Sequence, residues 1–546
     1  MSLDDQQHVV WLLDYVAGNI RSLVNAIERT GFSVRWIRSP QDLQKAGRVI
    51  FPGVGHFQHC LAGLEEGGYV EPLKRYIASG KPFMGICVGM QALFEGSDES
   101  LHQSGLGLVK GRLARFHEKT KSVPQIGWNS ASIVSGESVY GLRRHSKYYY
   151  VHSYAAPYRR EDWPGWYVAT TTYGDEEYIG AIAKQNILAT QFHPEKSGVA
   201  GLRVLEAFLN DKFLAAETGQ ALALPTGLTK RVIACLDVRS NDQGDLVVTK
   251  GDQYDVRDKD GVRNLGKPVE LAKRYYAGGA DEITFLNITS FRNNALKDTP
   301  MLEVLRLTSK QVFVPLTIGG GIRDVIDPDG TKYTALEVAR EYFASGADKV
   351  SIGSDAVMAA EEYGANGETL TGKTAIESIA RAYGSQAVVV SVDPKRVYVA
   401  DPEDTPHHTL RTELLGPHGE NYCWYQCTVS GGRAARDLDV HQLVTAVAAM
   451  GAGEILLNCI DRDGAKSGFD LELIRDVKHS VSIPVIASSG AGSPEHFAQV
   501  FRETPVDAAL GAGMFHRGEY SVWDVKSHLL KEGILVRDER VEEESI

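Results

Sequence analysis

Over the first two hundred residues, apolar positions come in short runs, each followed by helical spacing. "HVVWLLDY" is such a run; after a Gly-Asn turn, "IRSLVNAIERTG" places its apolar residues at helical intervals. "RVIFPGVG" reads as a buried strand ending in glycines, and "KPFMGI" as another, followed by Cys87 and a helix. "YYYVHSY", "YIGAIAKQ" and "ILATQFHPE" continue the series as later strands. Alternation of this kind predicts an α/β domain with a largely parallel sheet. The pattern weakens in "KFLAAETGQALALPTGLT", which predicts a linker there, or a helix running on into it. The expected division is 1–211, a linker at 212–229, and 230–546.

From Lys230 the pattern restarts, and it repeats. "ACLDV" and "VSVDP" each carry an aspartate at the strand end, Asp237 and Asp393. "GADEITFLNIT" matches "GAGEILLNCID", "VPLTIGGGI" matches "IPVIASSGA", and "DKVSIGS" matches "DAALGAG", in the same order. Four strand–helix units used twice make eight, which predicts a (β/α)8 TIM barrel with a two-fold half-barrel repeat.

Charge and composition narrow the function. Lys and Arg total 58 against 70 Asp and Glu, a net charge of −12 with no long basic run, which argues against a bulk electrostatic grip on nucleic acid. No apolar stretch reaches the roughly 18 residues of a membrane helix. The acidic start, "MSLDDQQHVV", is a poor signal or transit peptide. Six cysteines are scattered, and Cys423 and Cys427 have no second ligand pair nearby. Ordinary thiols in a reducing cytoplasm are expected, with no metal site.

Gly-x-Cys-x-Gly between a strand and a helix has the spacing of a nucleophile elbow, its glycines letting the chain turn sharply and the helix N-terminus favouring a thiolate. A buried structural cysteine is the alternative. "QFHPE" puts His193 and Glu195 two apart at a strand end, a base with its orienting carboxylate. "FPGVGHF" offers backbone N–H groups to an oxyanion. In the barrel, Asp237 and Asp393 face each other across the C-terminal mouth, suiting acid and base roles, whereas a single strand-end aspartate more often caps a turn. "IGGGIRD" and "SSGAGSPEH", related by the repeat, suggest a substrate with a phosphate at each end.

"PGVG", "GICVGMQ" and "FHPE" resemble the class I glutamine amidotransferases over nearly all of residues 8–210. The resemblance implies a flavodoxin-like α/β fold in which Cys87 attacks the glutamine amide. It makes His193 the general acid/base, oriented by Glu195, with Gln91 helping to hold glutamine and Gly53 and Val54 in the oxyanion hole. "RVIACLDV", "VVTKGDQ", "IGGGIRD", "VSVDPKRV", "GAGEILLNCIDRDG" and "IASSGAG" resemble the cyclase of the imidazole glycerol phosphate synthase family, in its fused fungal and plant form. This implies that ammonia from glutamine attacks a bis-phosphorylated ribotide within the same chain, with no metal or redox cofactor; charge and hydropathy predict no nucleic acid or membrane partner, and a monomer is expected. By motif, Asp237 and Asp393 are the acid/base pair and Lys250 contacts substrate. Gly321, Gly353 and Ser354 form one phosphate site, and Gly464, Gly490, Ala512 and Gly513 the other, with Asp463 nearby. Arg231, Glu282, Lys349 and Glu454 stand where strands enter the opposite face, and the resemblance points to them as a gate; solvated strand-start charges are the bland alternative. Ser489 and Gly353 depart from related barrels, which often have Gly and Asn there. "EEYGANGETLTGK" and "ADPEDTPHHTLRTELLGPHGENY" look like insertions. Rival readings are another ammonia-using barrel synthase, a phosphosugar isomerase barrel, and a non-catalytic glutamine sensor.

Overall fold

A computed structural model describes residues 8–13, 19–134, 138–215, 226–240, 246–249, 257–258, 261–262, 267–287, 296 and 300–540. The first domain is built on an eight-stranded sheet. Five strands are parallel, in the order Ser33–Ile37, Val9–Leu13, Val49–Phe51, Phe83–Ile86 and Ile187–Thr190. Glu176–Lys184, Tyr167–Tyr173 and Ser132–Ile133 then continue it antiparallel. Val49–Phe51 and Phe83–Ile86 are buried along their whole length, which is why they read as unbroken apolar runs. Lys147–His152 lies outside this sheet and pairs with Gln125–Ser130. Helix Gly198–Leu209 stops before the weak stretch, and Leu214–Ala215 is extended against Ser138–Val139 rather than helical.

The second domain is a closed parallel barrel. Its strands are β1 (Arg231–Ser240), β2 (Glu282–Asn287), β3 (Leu316–Gly319), β4 (Lys349–Ile352), β5 (Val388–Val392), β6 (Glu454–Asn458), β7 (Val485–Ser488) and β8 (Ala508–Gly511), with β8 paired back onto β1. An antiparallel sheet of Pro394–Val399, Thr409–Arg411, Tyr422–Val429 and Ala434–Asp439 follows β5, so part of the second apparent insertion is folded structure. Arg396 pins that sheet to the barrel through Asp470 at 2.9 Å.

The first domain docks on one end of the barrel. Every barrel group in the following contacts precedes a strand, so this end is the N-terminal face. Trp128 Nε1 donates to the Asp281 carbonyl at 3.2 Å, Val123 N to the Ser482 carbonyl at 2.9 Å, and Gly198 N to the Phe313 carbonyl at 2.9 Å. Ser122 Oγ bonds Asp507 at 2.8 Å, and Asn19 Nδ2 bonds Asp348 at 2.8 Å.

Candidate functional site

Cys87 leaves the strand Phe83–Ile86 with φ 51° and ψ −108°, a left-handed backbone that a side chain rarely adopts. The strain therefore sits on the cysteine, not on the glycines beside it. Gly89 serves close approach instead, since a Cβ there would collide with the Phe51 carbonyl oxygen. The helix behind the cysteine is one turn, Val88–Gln91, shorter than its spacing suggested.

His193 Nδ1 and Glu195 Oε1 are 2.8 Å apart and both residues are buried. Burial pulls the His193 pKa down, but Glu195 and the Cys87 sulfur outweigh it and hold the imidazole well above its ordinary value. His193 Nε2 has no hydrogen-bond partner among the described residues. Phe51 pairs with Gly85, and Gly53 and Cys87 each follow the end of one of these two paired strands. Gln91 Nε2 donates to the Tyr154 carbonyl at 3.0 Å and to Gln191 Oε1 at 3.2 Å, which fixes the orientation of the Gln91 amide.

The segment carrying the histidine is tied to the barrel. Lys196 pairs with Asp348 at 2.7 Å, and Asp348 immediately precedes Lys349. The Tyr149 carbonyl accepts His193 N at 2.9 Å; burial first, and then the Glu282 carboxylate, raise the pKa of its phenol. Neither Lys196 nor Tyr149 carries a motif that sequence reasoning could single out.

Arg231, Glu282, Lys349 and Glu454 begin β1, β2, β4 and β6 and are buried, so they are not solvated strand-start charges. They close a ring of alternating sign: Arg231–Glu282 at 2.8 Å, Glu282–Lys349 at 2.7 Å, Lys349–Glu454 at 2.6 Å, and Glu454 back to Arg231. Burial opposes the charge of Glu454, but Arg231 and Lys349 hold its pKa below the usual value. Above the ring, Ile233, Cys235, Val389, Leu456, Ile486, Ala508 and Leu510 form a separate apolar cluster lining the barrel.

Asp237 and Asp393 lie beyond that cluster. Asp237 is not at the end of β1, which runs on to Ser240 and pairs Asp237 with Thr249. Burial and then the Asp463 charge push the Asp237 pKa up to about 7, while a Cys235 thiol 3.8 Å away opposes them. Burial also raises Asp393, against the amide of Asn458, whose Nδ2 donates to Asp393 Oδ1 at 2.9 Å. The Thr428 hydroxyl donates to the Asp393 carbonyl at 2.7 Å, so the extra sheet braces this acid.

The glycine turns occupy matching places. Gly353 and Ala512 cap the helices Ser354–Ala365 and Gly513–His516 after β4 and β8. Gly321 (φ 79°), Gly464 (φ 68°) and Gly490 (φ 94°) are left-handed, and so is Ser489 (φ 69°), which takes that conformation without being glycine. Ser354 Oγ accepts Ser430 N at 2.9 Å. Lys250 lies outside the described residues.

The family model described as Glutamine amidotransferase class-I matches residues 11–212, and that described as Histidine biosynthesis protein matches residues 231–521. The imidazole glycerol phosphate synthase hisHF of Emericella nidulans is 65% identical, over 97% of this chain and 98% of its own. The chain belongs to the imidazole glycerol phosphate synthase family. The synthase hisHF of Schizosaccharomyces pombe is 60% identical over 97% of this chain and 100% of its own. The Arabidopsis thaliana member, named as chloroplastic, is 53% identical over 97% and 89%. As in the fused synthases, an amidotransferase domain precedes a histidine-biosynthesis barrel. Among the described residues, no helix is long and apolar enough to cross a membrane.

Proposed function

We propose that this chain hydrolyses glutamine at Cys87 and passes the ammonia through the barrel to Asp237 and Asp393, making imidazole glycerol phosphate. The observation that carries the reading is the inward face of β1, where Arg231 at the docked end is followed by Ile233, Cys235 and then Asp237.

His193 takes the thiol proton as Cys87 Sγ attacks the amide carbon, and returns it to the leaving nitrogen, which departs as ammonia. The amides of Gly53 and Val54 receive the oxyanion, and water then hydrolyses the thioester. Glu195 holds the imidazole in register. Ammonia is mostly ammonium in water at pH 7 and then has no lone pair for attack; an apolar barrel interior favours the neutral form.

At the C-terminal mouth, ammonia attacks a phosphoribulosyl-formimino-aminoimidazole-carboxamide ribotide. Asp237 and Asp393 move the protons of cyclisation and cleavage, which release aminoimidazole carboxamide ribotide. The two sets of glycine turns hold the terminal phosphates, Gly321, Gly353 and Ser354 at one end and Gly464, Gly490, Ala512 and Gly513 at the other. Lys250 joins the substrate contacts on the strength of the motif alone. These steps need only proton transfer, so no cofactor enters. One chain holds both halves, which supports a monomer acting on small molecules, and six buried free thiols support a reducing cytoplasm.

The test supplies amide-15N glutamine and the ribotide and follows products by mass spectrometry. Label in the imidazole ring is expected. Glutamate release without imidazole formation would favour a different ammonia acceptor, and neither product would favour a sensor.

A further inference from the structure

A row of buried amides runs away from the cysteine sulfur. Gln191 Nε2 donates to Cys87 Sγ at 3.5 Å. Gln191 Oε1 accepts from Gln91 Nε2, whose other hydrogen goes to the Tyr154 carbonyl. That carbonyl also bonds His152 Nδ1 at 2.9 Å. Gln191, Gln91 and His152 are all buried.

Each link fixes the next. A carbonyl only accepts, so His152 carries its proton on Nδ1. Burial, joined by the charge of His193, lowers the His152 pKa to about 3 against the bond to Tyr154, so the ring stays neutral. Both hydrogens of the Gln91 amide are engaged, one of them by Gln191 Oε1. The edge of Gln191 left to meet the sulfur is then its NH2 group, a donor.

We propose that Gln191 is a positioning residue for the Cys87 sulfur, and that Gln91, the Tyr154 carbonyl and His152 keep its amide turned the right way. The inference rests on Cys87 being the nucleophile and adds a group that acts through it. A donor to sulfur gains strength as the thiol becomes a thiolate, and it needs no charge of its own. The backbone brings the pair together: Cys87 N donates to the Thr190 carbonyl at 2.7 Å, and Gln191 is the next residue.

The experiment uses the full chain and measures alkylation of Cys87 by iodoacetamide against pH, with the labelled peptide located by mass spectrometry. Gln191→Met keeps the volume and removes the donor. Alkylation at pH 7 is expected to slow about tenfold, with its rising limb displaced to higher pH, the effect of losing one hydrogen bond to a charged group. The kcat with glutamine is expected to fall about 10- to 100-fold, with KM for glutamine little changed and synthesis from ammonium unaltered. Gln191→Glu, which sets a carboxylate against the sulfur, is expected to displace the limb further. His152→Phe should give a smaller effect in the same direction, and His152→Gln, which keeps a donor, should recover part of it. Parental alkylation profiles in both Gln191→Met and Gln191→Glu overturn the proposal. Failure of the underlying reading looks different: Cys87→Ala would then retain glutamine-dependent synthesis. Synthesis from ammonium reports whether a variant has folded, and if Gln191→Met has not, the nearly isosteric Gln191→Glu decides.

Discussion

Arg231 and Asp237 share the inward face of β1, with Ile233 and Cys235 between them on the same side. Successive side chains of a strand alternate, so one strand carries a buried ring charge, two apolar lining groups and an acid in register. At about 3.3 Å per residue the two charges are about 20 Å apart, roughly the depth of the barrel. β6 repeats the plan with Glu454, Leu456 and Asn458, the last bonded to Asp393. The ion-pair ring and the two aspartates thus lie on opposite sides of one apolar cluster inside the barrel.

The division of labour predicts a separation by nitrogen source. Cys87→Ala is expected to abolish synthesis from glutamine and to leave synthesis from ammonium salts at high pH within about twofold, since the barrel needs only free ammonia. Parallel rate measurements with the two sources check this. Loss of both activities in a folded variant would join the two sites into one.

Asp237→Asn and Asp393→Asn are expected to stop imidazole formation with either source, by about 100- to 10,000-fold. Stability gives a second readout. The folded pKa of Asp237, about 7, lies above its unfolded value, so its contribution is full at low pH and is lost as pH rises from about 4 through 7. Asp237→Asn should therefore stabilise the chain relative to the parent more at pH 8 than at pH 5, by about 1–2 kcal/mol allowing for solvent at the mouth. Denaturant titrations at the two pH values measure the difference.

The barrel was legible because its halves repeat, and Asp237 and Asp393 were found as a pair for that reason. The four ring charges stand at strand starts, Glu282 and Glu454 at matching places of the repeat, and the family resemblance points to the same four; the period of two adds that Arg231, Ile233, Cys235 and Asp237 share a face in "RVIACLDV". The strain on Cys87 was not legible. The motif assigns the sharp turn to the glycines, whereas the backbone gives the positive φ to Cys87 and uses Gly89 for close approach to Phe51. Asn458, Thr428, Tyr149 and Lys196 were missed because each acts through a contact between strands or domains far apart in sequence.

Gly89 supplies a packing test. A methyl group there meets backbone, the Phe51 carbonyl, which cannot swing aside as a side chain would. Gly89→Ala is expected to cost about 1–3 kcal/mol, as over-packing does, and to displace Cys87 from His193. Glutamine hydrolysis should fall sharply while synthesis from ammonium persists. Full glutaminase activity in Gly89→Ala would show that the elbow has slack.

The ring of Arg231, Glu282, Lys349 and Glu454 carries the last prediction. Lys349 bonds both carboxylates, so Lys349→Ala leaves Glu282 and Glu454 buried with Arg231 alone. Breaking a buried pair from one side costs about 3–5 kcal/mol, because the stranded charge stays out of water. Glu454 is held below its unfolded pKa, so the stability it supplies is present above about pH 4 and is lost as pH falls through its folded value. Removing Lys349 weakens that hold and should move the acid-unfolding midpoint to higher pH. Ammonia reaching the ring should then leak or be blocked, and imidazole formed per glutamine hydrolysed should fall below one. Synthesis from external ammonium enters beyond the ring and should change less, or rise. Glutamate and imidazole glycerol phosphate counted in one assay give the ratio directly. A ratio of one in both Lys349→Ala and Glu454→Ala, in folded chains, would make the ring a structural ion cluster and place the passage of ammonia elsewhere.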